Sequence, residues 1–413
     1  MEPVSARDRA RLRLLAQRQR DYADSPQNDI ILRKWRAQAE GRRDTPPVRL
    51  LFSNFRHEVV TPRLRCEGKE ARGIEAALLG ALVGRELFDD DTPLSPTFDM
   101  GWQTDVTVFG ISSRITRAEG ANAQGYHIDP VIHDLASEID KLRGGSFGVD
   151  REGTLRRREW IESIFGDILP VRLVMGSLRG GMTNPLVHLM GMEAYYLALY
   201  DCPDAVHEAM EMATSVYERY YDFLEAEQLL LPTNGCTPVA QETFAFTDEL
   251  PADAVTRTTQ CWGFLESQET TAVSAEAFGQ FVFPYQQRLI DRFGLLSYGC
   301  CERVDALWPE YLSTWSKLRK LSVSPFNNEP RIGEYLRGGR VVYYSKPRAE
   351  FVTRPGPLDE AAIVAYFKGV CTAASGCLFE IAQREVGTIF GDFERGRQYV
   401  RLAREAVDAY WRP

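Results

Sequence analysis

A chain of 413 residues, 44% hydrophobic and 26% charged, has apolar side chain enough for a large core and suits one elaborated domain or two. Its formal net charge of -9 excludes the basic surface of a nucleic-acid binder and indicates solubility instead. No apolar run reaches the length of a membrane span, and Met1–Arg13 is polar and Arg-rich with no leader-like apolar segment. Eight cysteines in so long a chain do not make a disulfide framework, so a cytoplasmic protein with reduced thiols is expected.

Residues 1–45 read as a peripheral helical arm. Arg7 to Arg20 alternates Arg with Leu and Ala, which predicts a helix with Leu12, Leu15 and Ala16 on one face. Asp29 to Glu40 predicts a second helix, with Ile30, Ile31 and Trp35 as its contacts. The arm is expected to pack onto a neighbouring subunit. Pro46–Pro47 ends the helical pattern.

The remainder, 46–413, alternates short apolar runs with helical patterns. Arg49–Phe55, Asp105–Phe109, Leu169–Met175, Leu229–Leu231, Gly294–Gly299, Leu318–Ser324, Val341–Tyr344 and Leu378–Ala382 read as strands in that order. Helical patterns at Glu70–Gly84, Ala205–Phe223, Pro284–Phe293, Val304–Tyr311, Asp359–Thr372 and Asp392–Tyr410 separate or follow them. Repeated strand–helix units favour parallel pairing, and eight such strands predict a closed (β/α)8 barrel, with a long insertion at about 234–260. Gly176–Gly181 lacks both the Lys-Ser/Thr ending of a P-loop and dinucleotide spacing, so a loop passing close to ligand or backbone is expected.

In such a barrel, chemistry collects where strands end. Gly294–Glu302, GLLSYGCCE, runs from an apolar strand into Gly299 and the adjacent thiols Cys300 and Cys301, which suits metal binding or nucleophilic work. His57 follows the first strand with proton-transfer and ligand chemistry near neutral pH. Arg56 beside it is a candidate carboxylate or phosphate clamp. Glu269, in CWGFLESQETT, is a candidate base or ligand. Lys346 follows the Val341–Tyr344 run and suits an anionic substrate or a developing carbanion. His127, Asn234 and Phe326 complete the candidate substrate contacts.

Several stretches resemble the uroporphyrinogen decarboxylase superfamily, which includes cobalamin:thiol methyltransferases, and most closely a bacterial branch of it. They are FTDELP at Phe246–Pro251, VSAEAFGQFVFPYQQRLIDRFGLLSYGCCE at Val273–Glu302, LRKLSVSPF at Leu318–Phe326, YYSKP at Tyr343–Pro347 and FEIAQREVGTIFGDFERG at Phe379–Gly396. The resemblance implies a (β/α)8 barrel and a homodimer. It also implies zinc: the methyltransferases carry a His-x-Cys pair where this chain has Tyr298-Gly299-Cys300, and a later Cys near the position of Glu385. Cys300 keeps its place in that set, with Cys301, Glu269 and Glu385 as replacement ligands and Tyr298 as a further metal or carboxylate contact. The decarboxylase relatives use an Arg-rich segment after the first strand, where this chain offers Arg56, then Arg63 and Arg65.

Three functions follow as expectations. The first is a metal-dependent methyltransferase acting on a thiol or similar small anionic acceptor. Its donor would be a methyl-corrinoid or another methylated carrier, with a corrinoid protein as a possible partner. The second is a decarboxylase of a small acid using Arg56, Lys346 and Glu269. The third is a binding protein on the same fold. Of the two thiols, Cys300 is expected to matter more, because neighbours leaving a strand point in opposite directions.

Overall fold

The computed structural model describes residues 3–117 and 126–413. Seven parallel strands form the central sheet, in the spatial order Val48–Leu50, Leu378–Gln383, Val342–Ser345, Leu318–Val323, Leu295–Tyr298, Trp262–Leu265 and Leu178–Arg179. A separate parallel pair joins Phe98–Met100 to Val171–Leu173, and the latter lies just upstream of the sheet's last strand. Helices connect most neighbours, as parallel pairing requires. The fold is therefore mixed α/β around a parallel sheet. Among the described residues the hydrogen-bond ladder stays open between Val48–Leu50 and Phe98–Met100. At that seam the Asp90 and Asp91 carboxylates, instead of a partner strand, accept the Leu50 and Val48 N–H groups at 3.0 and 2.9 Å.

Two expected barrel strands are corrected. Asp105–Phe109 overlaps Gln103–Thr107, which pairs antiparallel with Ser146–Asp150 outside the sheet. Its first three residues are exposed, so its apolar content marks one half-covered face. Leu229–Leu231 joins no strand, and the Leu229 N–H caps the preceding helix on the Leu224 carbonyl. Trp262–Leu265 and Leu178–Arg179 stand in the sheet instead. Both were obscured by glycine, and glycine is what each place requires. A Cβ on Gly263 would lie 1.9 Å from the Phe293 ring, and one on Gly180 would lie 2.4 Å from Leu289.

The arm packs on its own chain. The Ala6–Ala23 helix starts at an N-cap, Ser5, and buries Leu12, Leu15 and Ala16. Its polar residues reach the same body, Arg11 to Glu75 at 2.8 Å and Arg13 to Asp167 at 2.6 Å. Trp35 of the next helix, Pro26–Ala39, donates its indole N–H to the Asp91 carbonyl at 2.7 Å.

The 234–260 region holds a hairpin, Pro238–Ala240 with Thr243–Phe244, turning through Gln241 and Glu242 at φ 50° and 70°. Left-handed backbone at both turn residues fits a tight hairpin, but it is usually left to Gly or Asn. This hairpin occupies the concave side of the sheet. Lys320 Nζ donates to Thr243 Oγ1 at 2.7 Å and to Glu380 Oε1 at 2.6 Å, and Thr243 donates to Glu380 Oε2 at 2.5 Å. Tyr344 donates to the Gln241 carbonyl, and the Arg49 guanidinium lies 4.6 Å from the Phe244 ring centre. Val239, Ala240 and Ala245 form one apolar cluster with Trp262, Phe264 and Leu295. Strands across the whole sheet thus share one filling, with a fully buried ion pair inside it. No helix among the described residues is long and apolar enough to cross a membrane.

Candidate functional site

Parallel strands place their C-terminal ends together, so the residues that follow them meet. Here those residues are Glu266, Cys300, Ser324, Lys346 and Arg384. A cavity of about 320 Å³ opens at this end. Cys301, Lys346, Arg384 and Glu385 line it with the apolar Pro325, Phe326, Pro347 and Ala349. Phe326 stands at the rim, 66% exposed. Four residues expected at the site therefore share one cavity: Cys301, Lys346, Phe326 and Glu385.

Cys300 lies just beneath. Its Sγ is 3.7 Å from Cys301 Sγ and 3.6 Å from Gln241 Oε1. Gln241 is the tip of the internal hairpin, and its side chain also accepts from Lys346 Nζ at 3.4 Å and donates to Glu266 Oε2 at 3.5 Å. The loop is held by Glu302, whose carboxylate accepts the Cys300 N–H at 2.7 Å and the Ser267 N–H at 2.9 Å.

The electrostatics separate the two thiols. The hydrogen bond between the two thiols, with help from the Lys346 ammonium, pulls Cys301 down to about 7. That same hydrogen bond, together with burial, pushes Cys300 up. Burial pushes Glu266 up to about 8, reinforced by Cys300 and Glu302, so a neutral carboxylic acid stands beside the thiols. Cys301 lines the cavity, and Cys300, the thiol expected to matter more, lies buried beneath it.

The other expected residues lie elsewhere or are already engaged. Both Glu269 oxygens accept hydrogen bonds, from Thr183 Oγ1 at 2.8 Å and Asn184 Nδ2 at 2.7 Å, which ties down the start of the Thr183–Met190 helix. Tyr298 is fully buried, bonded to Ser267 Oγ at 2.9 Å and packed edge-on against Trp315. Burial pushes its hydroxyl well above the usual range. Arg56 donates to the Ala76 carbonyl at 2.8 Å, and His57 sits 3.6 Å from Glu58. His127 lies in the exposed Tyr126–Asp129 strand of an outlying hairpin, 3.3 Å from Asp129. Asn234 clamps its own loop through the Thr247 N–H at 2.9 Å, beside Thr233, which accepts the N–H of Trp262 at the opposite end of that strand.

Gln241, Glu266, Glu302 and Arg384 were missed by sequence reasoning. Glu266 and Arg384 each come directly after a strand, so correct strand ends would have found them. Gln241 carries no local signal, because its place depends on the far side of the sheet. As for metal, no three His, Cys, Asp or Glu side chains among the described residues stand together so as to share one ion. Of the candidate zinc ligands, Cys300 and Cys301 stand 3.7 Å apart, and Glu269 accepts from Thr183 and Asn184.

No family model matches the chain, and no curated protein matches it in sequence. Among solved structures the fold is similar to that of a methyltransferase from Methanosarcina mazei, with a TM-score of 0.52 at 14% identity. The alignment covers 91% of this chain and 98% of that one, and what the two share on this measure is the fold.

Proposed function

We propose that the protein is a methyltransferase-like enzyme that delivers a methyl group to a small anionic thiol held in the mouth cavity. The observation that carries this reading is a thiol lowered to about 7, Cys301, lining the mouth cavity beside Lys346. Cys301 takes the proton of the acceptor thiol, a base well matched to neutral pH. The acceptor's sulfur, now an anion steadied by the Lys346 ammonium, attacks the methyl carbon of the donor. The carbon–donor bond breaks, its electron pair stays with the donor, and the Cys301 proton passes to water. A cavity of about 320 Å³ holds the acceptor and not a tetrapyrrole, so a methyl-corrinoid would be presented at the rim, by a corrinoid protein. Likeness of fold to a methyltransferase supports the reading.

The test is methylation of short mercapto-acids with methylcobalamin as donor, followed by mass spectrometry of the product. Cys301→Ser should lower the rate about tenfold or more. No methylated product, or a Cys301→Ser rate equal to wild type, overturns the reading.

One observation favours a second reading. Glu266 stays protonated up to about pH 8, as an acid that replaces departing CO2 with a proton must. Release of CO2 from a small carboxylic acid, lost in Glu266→Gln, would make the protein a decarboxylase instead. Saturable binding of such acids with neither reaction would make it a binding protein.

A further inference from the structure

Arg384 follows the Leu378–Gln383 strand directly. On that strand Glu380 faces Lys320 and Thr243, and Ala382 clusters with Leu51 and Tyr344. Alternation turns Arg384 to the same concave side, at the mouth. Its Nη1 is buried with no hydrogen-bond partner among the described residues, while Nη2 lies 3.5 Å from the exposed Glu385 carboxylate. Native proteins pair nearly all such buried donors, so an unpaired one beside a cavity points to an acceptor that arrives with a ligand. Lys346, buried on the next strand's exit, has three donors and places one on Gln241 at 3.4 Å. Both cations line the cavity that Cys301 lines, together with Ser324, Arg348, Glu350, Glu385 and an apolar wall of Pro325, Phe326, Pro347 and Ala349.

We propose that Arg384 and Lys346 form an anion subsite that binds the carboxylate of a short aliphatic acid and holds its reactive end against Cys301. The planar guanidinium fork matches a carboxylate, and the apolar wall matches a short chain. The proposal rests on the reading of Cys301 as a cavity-facing thiolate, and it adds Arg384, which that reading does not use.

Iodoacetate is the smallest probe carrying both features: a carboxylate and a carbon that Cys301 attacks, with iodide leaving. Iodoacetamide is its neutral counterpart. Rates at Cys301 in the full-length protein are read by mass spectrometry and compared with those of a free thiol. The ratio of iodoacetate to iodoacetamide should exceed the free-thiol ratio by about tenfold. It should fall to the free-thiol value in Arg384→Gln, with the iodoacetamide rate kept as the sign of intact folding, and should partly return in Arg384→Lys. Lys346→Gln should lose the ratio too, and its iodoacetamide rate should fall because the ammonium that lowers Cys301 is gone. Acetate and succinate should protect wild-type Cys301, which decides the matter even where a variant fails to fold. A free-thiol ratio in wild type overturns the subsite while leaving the Cys301 thiolate standing. Protection by inorganic phosphate equal to that by carboxylates overturns the carboxylate assignment. Failure of both reagents to modify Cys301 overturns the thiolate reading, and this proposal with it.

Discussion

Replacing Cys300 with Ala should reshape the pH profile of Cys301 alkylation, and the direction can be worked from the site. In the wild type the Cys300 thiol, 3.7 Å away, holds Cys301 at about 7. An ordinary thiol titrates at about 8.5, and burial moves it no lower. At pH ~7 roughly half of wild-type Cys301 is thiolate, against about 3% at the ordinary value, a ratio of about 15. Nucleophilicity works the other way: with a Brønsted slope of about 0.4–0.5, a thiolate about 1.5 units more basic reacts about 5 times faster. The two effects leave Cys300→Ala about 3 times slower near neutral pH and about 5 times faster above pH ~10, where both thiols are fully ionised. The curves therefore cross. The assay is iodoacetamide alkylation of the Cys301 peptide, timed by mass spectrometry from pH ~5 to ~10. Profiles that stay parallel across that range refute the hydrogen-bond account of the thiolate.

Glu266 gives a stability signature with the opposite sign from the usual carboxylate. Its folded value is raised to about 8, so between the unfolded value near 4.3 and that point the folded state binds the extra proton, and stability falls as pH rises. Glu266→Gln should remove this slope, and its advantage in urea melts should grow across that window; a constant difference rejects the raised value. The interior pair makes another test. Lys320→Met strands the buried Glu380 and should cost about 3–5 kcal/mol, whereas Lys320→Met with Glu380→Gln should recover most of the loss in urea denaturation. Gln241→Gly suits the left-handed backbone at φ 50° but removes the contacts to Lys346, Cys300 and Glu266, so Cys301 reactivity should change while stability holds. A homodimer is also proposed; light scattering that gives 46.8 kDa over a broad concentration range rejects it.

The sequence by itself determined whatever depends on neighbours in the chain. Leu295–Tyr298, Leu318–Val323, Val342–Ser345 and Leu378–Gln383 are short apolar runs closed by turn or polar residues, and their ends brought Cys301, Phe326, Lys346 and Glu385 to one cavity. The arm helices announced themselves in the same way, through the stripe of Leu12, Leu15 and Ala16 and through Ile31 and Trp35. Tertiary structure decided the rest. Leu178–Arg179 and Trp262–Leu265 are strands because Gly180 and Gly263 admit Leu289 and Phe293, residues distant in sequence. The hairpin fills the concave side because Thr243 meets Glu380, 137 positions away, and a local pattern carries no record of that partner. The placing of the two thiols fell to the same cause. Alternation along the chain is symmetric between Cys300 and Cys301, and tertiary packing breaks the symmetry by setting Cys300 under the Gln241 tip and leaving Cys301 on the cavity wall.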